Sequence, residues 1–140
     1  MLSALFMAER SRAGAFIDAL LRAESQGDTG PLVAMFSPEA DLQNPTMPRP
    51  LSGPEGAREF WDVYLRSFHG IRSEFRLIVE TPRAAALEWT SRGRAPDGSE
   101  IGYDGVTVLE FEGDAIRRFR AYFDPRSLGV ELGHRQADAA

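Results

Sequence analysis

No cysteine occurs in the 140 residues, so disulfides, thiol nucleophiles and thiolate metal sites are excluded. Lysine is also missing: all 16 basic residues are arginine, which reads as high-GC codon usage rather than chemistry. Two histidines, His69 and His134, are too few and too far apart for a histidine metal cluster. No metal and no organic cofactor is therefore expected. No apolar run approaches membrane-spanning length. The opening Met1-Leu2-Ser3-Ala4-Leu5-Phe6-Met7 lacks a basic leading region and soon meets Glu9, so no secretory signal is expected and a cytoplasmic protein is the default. A formal charge of −5 argues against nucleic acid as a partner, because phosphate binding needs a concentrated cationic face.

What is present fits one soluble domain. Hydrophobic residues make up 43% and charged residues 26%, enough to bury a core and too ordered a mixture for global disorder. Ala13, Phe16, Ile17, Leu20 and Leu21 recur at three- and four-residue spacing and predict an amphipathic helix from about Ser11 to Glu24. Gly27 and Pro31 stop it, and Pro31 opens a short second helix to Phe36. Ala40 to Gln43 reads as a short extended piece, followed by the proline-stiffened loop Asn44-Pro45-Thr46-Met47-Pro48-Arg49-Pro50. Ser52-Gly53-Pro54 opens a third helix with the aromatic stripe Phe60, Trp61, Tyr64, Leu65 and Phe68.

Beyond Gly70 the period changes to two. Phe75, Leu77 and Val79 alternate with Arg76, Ile78 and Glu80, and three more strands are predicted at 84–94, 101–111 and 115–123. Pro96-Asp97-Gly98 and Glu112-Gly113-Asp114 supply the turns. Asp124-Pro125 caps a final helical turn. The expected domain is a single unit over 1–133, with 134–140 a frayed tail. Helices first and a four-stranded meander afterwards make an α+β fold.

Several residue groups occur in a telling order: the Gly27-Asp28 break, Met35-Phe36, Asn44-Pro45, the Leu51-Ser52-Gly53 helix entry, Tyr103-Asp104-Gly105-Val106, and Ala121-Tyr122-Phe123-Asp124-Pro125. In this order and spacing the chain resembles the nuclear-transport-factor-2-like superfamily and, within it, the SnoaL-like proteins. The resemblance implies a cone-shaped, curved antiparallel sheet wrapped over the N-terminal helices, with a deep apolar cavity. It also implies relatives as varied as ketosteroid isomerases, polyketide cyclases, limonene-epoxide hydrolases and simple binding proteins, so the fold alone does not choose among activities.

Residue by residue, the resemblance argues against two of these. Where ketosteroid isomerases carry a general-base aspartate this chain has Asn44, and their tyrosine and protonated aspartate fall on Leu20 and Thr107. The epoxide-hydrolase aspartate–arginine–aspartate set falls on Ala121, near Glu88, and on Thr90. An asparagine does not abstract a proton at neutral pH, and a leucine does not donate one.

Strand parity gives a second selection of cavity residues. It expects Phe119 and Phe123 on the last strand, Tyr103 and Thr107 on the long strand, and Glu88, Thr90 and Arg92 on the strand before it, with Trp89 opposite. From the third helix Phe60 and Tyr64 are candidate cavity wall. On this reading Glu88 and Arg92 are the catalytic pair, while Asn44, Phe60, Tyr64, Thr90, Tyr103, Thr107, Phe119 and Phe123 bind substrate. Glu88 has two readings, a structural ion pair with an arginine or an acid/base group.

Three functions follow. The first is a cofactor-free acid/base enzyme acting on a small hydrophobic molecule. The second is a non-catalytic binding protein using the same pocket, and the third is a scaffold. Trp89 and Tyr122, placed together on the outer sheet face, suggest a homodimer interface there. Arg117, Arg118, Arg120 and Arg126 have two readings, a site for an anionic partner or, preferred, pairing with Glu74, Glu80 and Glu110 across the outer sheet face or at a subunit contact.

Overall fold

The structure is a computed structural model, and it describes residues 11–128. The 134–140 tail and His134 lie outside the described residues. Helix α1, Arg12–Gln26, begins where the Ser11 hydroxyl accepts from the Gly14 N–H at 2.8 Å. It ends at Gly27, whose φ of 72° lets its N–H reach the Ala23 carbonyl at 2.8 Å. Its apolar stripe buries Ala13, Phe16, Ala19, Leu20 and Ala23. Helix α2 is shorter than the sequence suggests, Gly30–Val33 rather than 31–36, because Phe36 already belongs to strand β1, Phe36–Gln43.

Strand β2, Leu51–Ser52, leads into helix α3, Gly53–Ser67. Four strands complete the sheet: β3 (His69–Glu80), β4 (Ala84–Arg94), β5 (Glu100–Glu112) and β6 (Ala115–Phe123). A single 3₁₀ turn, Pro125–Leu128, follows, with the Asp124 carboxylate accepting from the Arg126 N–H at 3.0 Å.

The sheet is curved and unclosed, in the order β2-β1-β6-β5-β4-β3. It has six strands rather than the four of the predicted meander, and it is mixed rather than wholly antiparallel. β1 runs parallel to β6, with a register shift between Phe36 and Asp41. A returning chain can pair this way because one helix and four strands separate the partners, far more than a parallel crossover needs. Helices α1 and α3 pack on the concave face. There Phe16, Phe36, Phe60 and Trp61 surround Phe119, with ring centroids 5.2 to 6.2 Å from it.

The convex face carries charge. Arg118 and Arg120 meet Glu110 at 3.5 and 2.8 Å, as the sequence suggests for that glutamate. Arg117 instead donates to the Glu39 carbonyl, Arg126 pairs with Asp124, and Glu80 pairs with Arg12. No helix among the described residues is long and apolar enough to cross a membrane.

Candidate ligand cavity

Between the sheet and α1/α3 lies a cavity of about 910 Å³. Its wall is largely aromatic and aliphatic: Phe16 and Leu20 from α1, Phe60, Trp61 and Tyr64 from α3, and Phe119, Ala121 and Phe123 from β6. Residues of the Asn44–Pro50 and Ala95–Ser99 loops, most of them exposed, form its mouth. A concave, mainly apolar space with a few convergent polar groups is the usual form of a small-molecule site.

One cluster of polar groups gathers at one end. The Glu24 carboxylate, on the last turn of α1, accepts from the Tyr64 hydroxyl at 2.6 Å, the Ser73 N–H at 2.8 Å and the Ser73 hydroxyl at 2.6 Å. Ser73 and Ser91 share a hydrogen bond of 2.7 Å. Tyr64, Ser73 and Ser91 line the cavity, and Glu24 stands behind them. Burial, and then the nearby Glu24 charge, raises the Tyr64 phenol well above the usual tyrosine range. The same two causes raise the phenol of Tyr103, which stacks beside Phe68 and meets Phe123 and Trp89 edge-on.

A second polar pair lies along β4 and β5, where the Trp89 indole N–H donates to the Thr107 hydroxyl at 2.9 Å. Both residues are buried and both line the cavity. Gly105, opposite Trp89, leaves room for the indole, since a Cβ there would lie 2.5 Å from the ring.

The model of the SnoaL-like domain matches residues 17–119, more than half of the chain and nearly all of the elements just described. The chain belongs to the SnoaL-like domain family. Among curated proteins no match was found for this SnoaL-like chain.

Solved structures share its fold at low identity. An NTF2-like protein from Anabaena variabilis is 20% identical with a TM-score of 0.72, over 81% of this chain and 87% of its own. An NTF2-like protein of unknown function from Burkholderia pseudomallei is 17% identical with a TM-score of 0.75, over 87% and 97%. A protein with a ketosteroid isomerase-like fold from Catenulispora acidiphila, in complex with trimethylamine, is 13% identical with a TM-score of 0.73, over 84% and 92%.

In this SnoaL-like protein the predicted site residues divide. Tyr103, Thr107, Phe60, Tyr64, Phe119 and Phe123 line the cavity, and Asn44 stands at its mouth. There the Asn44 side-chain oxygen accepts from the Thr46 N–H and hydroxyl at 2.9 and 2.7 Å, a turn-closing role. Glu88, Thr90 and Arg92 do not line the cavity. They lie on the convex face, where Glu88 is 3.8 Å from Arg76 and Thr90 bridges Arg76 and Asp104. Arg92 opens onto a surface groove beside Arg72 and Gly102.

The physical reason is the register of β4 against β5. Leu87 pairs with Thr107, Trp89 with Gly105 and Ser91 with Tyr103. Directly opposed residues share a face, so Tyr103 and Thr107 carry Leu87, Trp89 and Ser91 inward with them. The expected face of β4 was displaced by one residue, and a displacement of one reverses every side chain. Trp89 is accordingly inside, 6% exposed, and is no part of an outer interface.

Sequence reasoning missed Glu24, Ser73 and Ser91. A signal existed for Glu24, which continues the Phe16–Leu20 stripe at the same four-residue step. Similarly, Ser73 shares the face of Ile71 and Phe75. Among the described residues no group of three or more His, Asp or Glu side chains is placed to hold a metal ion.

Proposed function

We propose that the protein binds a small, mainly apolar molecule in this cavity, with the molecule's polar group held at the Tyr64–Ser73–Ser91 end. The observation that carries the reading is the combination of a cavity of about 910 Å³ with one carboxylate-backed hydroxyl cluster in a mainly apolar wall. The relative from Catenulispora acidiphila, in complex with trimethylamine, supports the use of this fold for small ligands. The acid/base version built on Glu88 and Arg92 is not carried over, because neither side chain lines the cavity.

The test is binding of an environment-sensitive apolar fluorophore such as anilinonaphthalene sulfonate, displaced by small aromatic competitors. Ala121→Trp, which fills the cavity from β6, should abolish binding while the protein stays folded by circular dichroism. Unchanged binding by that variant would sink the reading.

Association into a homodimer through the convex face belongs to the same proposal. It now rests on Tyr122, 53% exposed, without Trp89. Sedimentation of Tyr122→Glu against the parent protein checks it, and a parent protein that sediments as a monomer overturns it.

A further inference from the structure

Given the cavity reading above, the directions of the hydrogen bonds at the polar end decide which chemical group it accepts. Each hydroxyl in the cluster has a single proton, and the hydrogen bonds assign all of them. A carboxylate only accepts, so the Tyr64 and Ser73 protons both point at Glu24. With its own proton committed, Ser73 accepts in its 2.7 Å bond with Ser91, and the Ser91 proton points at Ser73. Three cavity-lining hydroxyls therefore turn their protons away from the cavity and offer it lone pairs.

Donors stand beside them. Tyr103 is the directly opposed partner of Ser91 and shares its face, and its phenolic O–H has no hydrogen-bond partner among the described residues. Farther along β5, Thr107 accepts from Trp89 and keeps its own proton for the cavity. A ligand hydroxyl at this end can donate to Ser91 or Tyr64 and accept from Tyr103 at once. A ligand oxyanion can use Tyr103, but it would face three sets of lone pairs backed by the Glu24 charge, in a wall of low polarity where that repulsion is weakly screened.

We propose that the polar end of the cavity selects ligands bearing a neutral hydrogen-bond donor, a phenol or alcohol, and disfavours the corresponding oxyanion. The titratable and charged groups facing this end are Glu24 from α1, Tyr64 from α3 and Tyr103 from β5, while β3 and β4 contribute Ser73 and Ser91. Arg49, Glu59 and Asp97 also line the cavity, Arg49 and Asp97 from the loops of the mouth and Glu59 from an exposed position on α3.

The experiment uses a hydroxynitrobiphenyl with its hydroxyl and nitro groups at opposite ends, whose neutral and ionised forms differ in visible absorbance. Its isostere with methyl in place of hydroxyl is the control. At neutral pH the phenol should bind about tenfold more tightly than the methyl compound, the worth of one or two net hydrogen bonds. On raising the pH, the bound phenol should ionise at least about one pH unit above the free one, a tenfold preference for the neutral form. Glu24→Gln should reduce that preference by about tenfold, and Ser91→Ala should reduce the discrimination against the methyl compound, with melting curves confirming that both variants fold.

Equal affinity for the two probes, or ionisation of the bound phenol below its free value, overturns the proposal while leaving the cavity reading intact. If neither probe binds, the cavity reading itself fails and the proposal falls with it.

Discussion

Glu24 and Tyr64, 40 residues apart on two different helices, share a hydrogen bond of 2.6 Å in which the phenol donates to the carboxylate. The same carboxylate takes both the backbone and the side-chain proton of Ser73 on β3. One side chain thus ties α1, α3 and the sheet together at the polar end of the cavity. Glu24→Ala strips the acceptor from three donors in a part-buried setting and should lower unfolding free energy by about 2–4 kcal/mol. Glu24→Gln retains one acceptor oxygen and should cost roughly half as much. Urea denaturation of the two variants measures the difference.

The two tyrosines of the cavity predict an alkaline limit. Burial first, and the Glu24 charge second, place both phenols above the usual tyrosine value in the folded state. Above about pH 10, where an unfolded tyrosine loses its proton, the native state holds more protons than the unfolded state. Their contribution is therefore fully present below about pH 10 and is lost as the pH rises toward the folded values. Melting temperatures should fall steeply over that window, and Tyr103→Phe should make the fall shallower. An equally steep fall in that variant would rule Tyr103 out as a contributor.

Gly105 and Trp89 form a size-matched pair. A Cβ on Gly105 would sit 2.5 Å from the indole and 2.7 Å from the Tyr122 carbonyl. Gly105→Ala should destabilise by about 3 kcal/mol, as overpacking does. Trp89→Phe removes the two ring atoms in the clash but leaves the carbonyl contact, so the double variant should be less destabilised than the sum of the singles by about 1 kcal/mol. Chemical denaturation of the four-member cycle reads that coupling.

Glu88 lies on the convex face with 47% of its side chain exposed, facing Arg76 across 3.8 Å. Such pairs contribute little, so Glu88→Gln should change stability by less than about 1 kcal/mol. It should also leave binding of the fluorophore within about twofold, the range expected of a surface substitution far from the ligand. A large loss of ligand affinity in this variant would restore Glu88 to the site.

The division between legible and hidden features follows from the range of the forces involved. Periods of 3.6 and 2, the Ser11 and Gly27 caps and the turn at Pro96-Asp97-Gly98 are local, and a chain carries local preferences in its order of residues. They determined the helices, the long strands, the α+β class and, through Phe60, Tyr64, Tyr103, Thr107, Phe119 and Phe123, much of the cavity wall.

Which face of β4 looks inward was decided only in three dimensions, by the pairing of Leu87 with Thr107 and of Ser91 with Tyr103. Parity along one strand does not specify its partner's register, and a slip of one residue exchanges Glu88 for Trp89. The parallel β1–β6 pairing and the meeting of Glu24, Tyr64, Ser73 and Ser91 have the same origin. Four polar residues at distant positions become one site because burying the apolar faces around them leaves each polar atom to find its hydrogen bonds among the others.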